Sequence, residues 1–92
     1  MGGDLVSADY VTDEQIRALG REANRAGDDV QYAIATIALE LDADRSLGAQ
    51  GFEARFGGGG LRLSPRDRSK LERTTASEAW DECARVILGR AR

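Results

Sequence analysis

From Val11 to Ala26 the apolar positions recur at the spacing of one helical face: Ile16, Leu19, Ala23 and Ala26 lie on it, with charged residues between them. Thr12 stands where a cap belongs. Asp13 and Glu14 follow in the first turn, and Gln15 at the third position completes a capping box. Val11 before the cap and Ile16 at the fourth helical position have the spacing of a hydrophobic staple. Gly27 is placed to stop the helix, which the pattern predicts over 13–26. Gly20 lies beside the stripe and costs about 1 kcal/mol relative to alanine, a cost that close approach of another backbone would explain.

Asp28 repeats the start signal, with Gln31 three residues later. Val30, Ala33, Ile34, Ile37, Ala38 and Leu41 form one stripe, which Tyr32, Ala35 and Leu39 widen. A face this broad predicts a central helix packed on more than one side, from about 29 to the mid-forties. With only Gly27 and Asp28 between them, the first two helices form a tight hairpin or corner.

The pattern then breaks. Gly48, Gly51 and the run Gly57 to Gly60 give the backbone freedom that is costly to order, so 48–63 reads as a flexible glycine-rich insertion: a disordered loop, a β-hairpin, or a binding loop that orders on its partner. Within it Phe52 and Phe56 are four apart, on one side of a helical turn, and Leu61 and Leu63 alternate with Arg62 as a weak strand. Ser64 and Pro65 open a further helix, and Thr75 with Glu78 offers another capping box. Ala76, Ala79, Trp80, Cys83 and Ile87 continue at helical spacing to about Leu88. Whether 65–88 is one bent helix or two stays open. The whole chain, 1–92, reads as a single all-α domain: a bundle of three to four helices, with 1–10 as a loose leader.

Composition sharpens this picture. The hydrophobic share is 41%, but the aromatics are few: Tyr10, Tyr32, Phe52, Phe56 and Trp80. The core is therefore built of aliphatic residues and alanine, with Cys83 and Trp80 expected inside it. There is no histidine and one cysteine, so histidine-assisted nucleophiles are excluded, and no zinc site, other metal or cofactor is expected. Nothing sets a carboxylate in an apolar pocket for acid–base work. A non-enzymatic role follows. No apolar run approaches the ~20 residues of a membrane span, and the first residues lack the basic flank and apolar run of a signal peptide. The acylation pattern suggested by Met1-Gly2 fails at Val6, where serine or threonine is needed. The expected location is the cytoplasm of a host cell, with no membrane partner.

Charge is unevenly shared. Ten acids against three arginines leave −7 over residues 1–44, and ten basic residues against six acids give +4 over 45–92. Contact between the two halves is the first explanation and partner recognition the second. Arg62, Arg66, Arg68, Lys70 and Arg73 form the basic candidate for nucleic acid, but Asp67 and Glu72 interrupt it and no aromatic residue interleaves. The second helix is too apolar and too acidic at its start to lie in a DNA groove, so direct nucleic-acid binding is not expected. The acidic candidate comprises Asp13, Glu14, Glu22, Asp28 and Asp29. Carboxylates not spent on capping can meet arginines on a protein partner, imitating phosphates. Phe52 and Phe56 join them as candidate partner-binding residues.

The stretches Thr12 to Leu19, Glu22-Ala23 and Ala26-Gly27-Asp28, with Glu82 to Ile87 near the end, resemble a group of short proteins of phages and mobile elements. The chain departs from that group at Gly20, where a longer side chain is usual, and in its glycine-rich centre. Small acidic helical proteins of this kind include anti-CRISPR inhibitors, which bind an interference complex without catalysis. The resemblance implies a stoichiometric inhibitor whose partner is a CRISPR effector complex and whose effect is to block target DNA binding. A small DNA-binding regulator and a phage structural or assembly subunit are the alternatives.

Overall fold

The computed structural model describes residues 11–57 and 61–90, so the expected leader over 1–10 lies outside the described residues. Five helices lie among these residues, where three to four were expected: α1 (Asp13–Ala26), α2 (Asp29–Glu40), α3 (Gly48–Phe56), α4 (Pro65–Arg73) and α5 (Ala76–Arg90). No strand occurs among them. Leu61 and Leu63 are half-buried but unpaired, and the nearest thing to a sheet is an isolated bridge between Ser46 and Thr75.

The local signals at α1 are all realised. Thr12 Oγ1 accepts from the Gln15 N–H while Gln15 Oε1 accepts from the Thr12 N–H at 2.8 Å. Val11 and Ile16 are both buried. At the other end Gly27 is left-handed with φ 77°, its N–H reaches Asn24 O, and the Asp28 N–H reaches Ala23 O at 2.9 Å. This double closure satisfies the last carbonyls and turns the chain directly into α2.

α2 is the central helix. It packs on α1 and α5 and touches α4, and Ala33, Ile34, Ala35, Ile37 and Ala38 are all buried. Alanines let the neighbours come close. Gly20 is buried at the α1–α2 crossing, where an added Cβ would stand 3.1 Å from the Ala35 Cβ. Close helix approach is therefore what Gly20 provides. Gly20→Ala is expected to be near neutral, because the gain of about 1 kcal/mol in helix propensity offsets slight crowding. Gly20→Leu is expected to cost about 1–3 kcal/mol by overpacking, read from urea midpoints. Equal midpoints for the two variants would show that the crossing is loose.

α2 ends at Glu40, short of the mid-forties expected from its stripe. The reason lies thirty residues on. The carbonyls of Ala43 and Arg45 accept from the Ser77 and Ala76 N–H groups, at 3.0 and 2.9 Å. Thr75 Oγ1 takes the Glu78 N–H, and the Glu78 carboxylate takes the Thr75 N–H. The first-turn donors of α5 are thus satisfied by the 43–45 turn and a capping box together. The same start fixes the answer for 65–88: α4 and α5 are separate helices. Thr74 is extended between them, with its hydroxyl donating to Lys70 O.

Residues 48–56 of the glycine-rich insertion expected over 48–63 form α3. Tertiary contacts hold this glycine-rich helix. The rings of Phe52 and Phe56 lie 5.0 Å apart and are buried, and Tyr32 of α2 meets Phe56 edge-on at 6.4 Å. Arg55 makes a two-pronged bond to Glu40 of α2, at 2.8 and 2.9 Å, and Arg68 of α4 reaches Glu53. At Gly57 a Cβ would stand 2.3 Å from Glu53 O, so only glycine fits where this helix closes.

Candidate protein-binding surface

The acidic residues singled out in the sequence do not form one face. α1 and α2 follow each other through two residues, so their starts are separated by the length of α1, about 20 Å at 1.5 Å per residue. Asp28 caps α2 by accepting from the Gln31 N–H. Asp29 accepts from the Arg62 N–H at 2.8 Å, tying the start of α2 to the segment before α4. Glu22 pairs with Arg90 at 2.6 Å, and Glu14 lies between Arg17 and Arg21. Asp13 is exposed. Phe52 and Phe56 are buried in the core cluster. The Glu22–Arg90 and Glu40–Arg55 ion pairs join the acidic half to the basic half, so internal contact accounts for part of the charge asymmetry.

The basic candidate is likewise partly spent. Arg68 sits between Glu53 and Glu72, which raise its pKa through hydrogen bonds. Lys70 lies 3.8 Å from Glu82, and Arg73 donates to Ser69. α4 therefore presents a mixed surface.

The surface suited to a protein partner lies between the end of α2 and the start of α5. A groove of about 310 Å³ is lined by Ala38, Leu41, Ala43, Ala76, Ser77, Trp80 and Asp81. Trp80, expected in the core, is only half-buried. The fully buried positions of α5 are Ala79, Cys83 and Ala84, which turns the face bearing Trp80 towards the groove. Leu41 adds a second half-buried apolar side chain. Asp42 and Asp44 flank Leu41 and Ala43 in the turn, and Asp81 lines the groove itself. All three are exposed, and none joins an ion pair among the described residues. With Arg45 in the same turn, the local balance is about two negative charges. The turn is held by its bonds to the α5 start, so these groups are presented on a fixed backbone. In the sequence only Asp81 adjoins the single tryptophan; the 43–45 turn is brought beside it by the fold.

Chemistry elsewhere is muted. Burial pushes the Cys83 thiol up to about 11, against a small opposing effect from Gln31, whose amide lies 3.6 Å from the sulfur. At neutral pH it is a protonated core residue and not a nucleophile. Among the described residues no three His, Cys, Asp or Glu side chains gather as a metal site would need, and no helix is long and apolar enough to cross a membrane.

Glu40 is held below its ordinary value of 4.5 by its hydrogen bonds from Arg55. A carboxylate whose folded pKa is depressed adds stability above its unfolded value, and that stability is lost as pH falls through the folded value. Glu40→Gln is therefore expected to lower the urea midpoint at pH 7. The deficit should close as pH falls below 4.5. The pair is solvent-exposed, so the deficit is expected to stay below about 1 kcal/mol. A deficit that persists unchanged at about pH 3 would assign the loss to packing of Arg55.

Compared with family models, with characterised proteins and with solved structures, the chain gives no match.

Proposed function

We propose that this chain is a non-catalytic protein-binding inhibitor of phage or mobile-element origin. It acts by docking the Trp80 groove on a basic surface of a CRISPR effector complex and so blocking target DNA. The observation that carries the binding role is the groove itself. It offers a half-buried tryptophan beside Leu41, with Asp81 in its lining and Asp42 and Asp44 in the adjoining turn, all three free of ion pairs among the described residues, on a backbone fixed by α5's capping. Tryptophan is among the residues that dominate binding energy at interfaces. A surface that holds DNA is rich in Lys and Arg, which complements such a rim. The choice of target rests on the phage-group resemblance.

The test is capture of a purified effector complex by the immobilised chain, with target DNA binding measured in parallel. Binding that weakens with added salt, and fails for the triple variant Asp42→Lys, Asp44→Lys, Asp81→Lys, is the expected result. Full inhibition by a folded triple variant would remove the groove from the mechanism. Direct, salt-sensitive binding of the isolated chain to duplex DNA would instead favour a small DNA-binding regulator.

A further inference from the structure

A depression of about 220 Å³ lies over the α1–α2 crossing, well away from Trp80 in sequence and independent of the reading above. Gly20 and Ala35 are among the residues that line it. Arg17 and Arg21 stand on the α1 side, Tyr32, Thr36 and Leu39 on the α2 side, and Arg55 of α3 with Glu40 at the edge. Arg17 and Arg21 are four residues apart and so share one helix face.

A single carboxylate spans these two arginines. Glu14 places Oε1 3.4 Å from Arg17 and Oε2 3.4 Å from Arg21. Both contacts are long against the ~2.7–2.9 Å of a good charge-assisted bond. The three side chains are 52%, 53% and 71% exposed, so the cluster adds little to stability. Arg55 is different: Glu40 and the face of Phe56, 5.2 Å from the guanidinium, fix it in place. The groups lining the depression are thus two loosely held guanidinium forks, one fixed fork and the Glu40 carboxylate, with Glu14 bridging the first two forks from outside the lining.

We propose that this depression binds the phosphate group of a small organic phosphate, with Glu14 as an internal stand-in that the phosphate displaces. The Glu14 oxygens sit where two phosphate oxygens would meet the forks of Arg17 and Arg21, a geometry guanidinium groups match. A phosphate monoester brings a third oxygen and nearly twice the charge, so it outcompetes one carboxylate held at long range. Tyr32 and Leu39, both half-buried, give the organic part an apolar wall. A small ligand fits better than a polymer, because the Glu40–Arg55 pair closes one side.

Nitrogen-15 NMR of the full chain, titrated with AMP, inorganic phosphate, adenosine and a single-stranded 12-mer, tests this. AMP and phosphate are expected to shift the Arg17 and Arg21 Nε–H signals, and adenosine to leave them unmoved. The double variant Arg17→Gln, Arg21→Gln should lose tenfold or more in AMP affinity with its helical spectrum intact. Glu14→Gln, which frees both forks, should gain several-fold. Silence in both the wild type and Glu14→Gln overturns the proposal, as does AMP binding that the double arginine variant leaves unchanged. Tighter binding of the 12-mer than of AMP would overturn the assignment to a small phosphate.

Discussion

Ile37→Ala is expected to lower the stability of the fold by about 2–5 kcal/mol. Ile37 is 1% exposed at the middle of α2, the helix that packs on both α1 and α5. Its neighbours on that helix include Ala33 and Ala38, which are too short to fill much of the space that truncation leaves. A domain of this size has roughly 5–15 kcal/mol in total, and each kcal/mol moves the midpoint by about 4–8 °C. The expected loss is therefore at least about 8 °C, with an unchanged urea slope if the transition stays two-state. Ile37→Val, which removes one methylene, should cost about 0.5–1.5 kcal/mol. A loss below about 1 kcal/mol for Ile37→Ala would mean that α2 is not the centre of the packing.

What could be read from the sequence follows the range of the interaction. The α1 cap, its left-handed glycine stop, the Ser64-Pro65 start and the Thr75–Glu78 box all close within a few residues, and each stands where the spacing predicted it. The breadth of the α2 stripe likewise announced a helix covered on several sides. The α3 helix was hidden because its glycines argue against it locally. Its supports, Arg55 to Glu40 and Arg68 to Glu53, each span fifteen residues. The early end of α2 was hidden for the same reason, since the 43–45 carbonyls are claimed by a helix start more than thirty residues later. For the candidate site, the aspartates at α1 and α2 suggested one acidic face, but chain direction sets the two helix starts a helix length apart. Asp29 is engaged by a backbone N–H 33 residues away. Trp80 packs against the core but is only partly buried: Ala79 and Trp80 are adjacent on the α5 stripe, and helical spacing alone does not say which of them is enclosed.

Trp80→Ala separates a binding residue from a core residue. A fully buried aromatic costs about 3–5 kcal/mol on truncation to alanine. Trp80 is only half-buried, so a stability loss of about 1–2 kcal/mol is expected, scaled from the same figure. An anchor residue at an interface contributes about 2–4 kcal/mol, so the same variant should weaken partner binding by about 30- to 1000-fold. The two effects are measured separately, by urea unfolding of the free chain and by affinity at a temperature where the variant is fully folded. As the single tryptophan, Trp80 also reports on its own surroundings. Its emission should be accessible to acrylamide in the free chain and protected in the complex. Trp80→Phe, which keeps an apolar ring in the groove, should retain part of the affinity. A stability loss of 3–5 kcal/mol with unchanged affinity in the folded fraction would return Trp80 to the core and leave the carboxylates of Asp42, Asp44 and Asp81 without their apolar anchor.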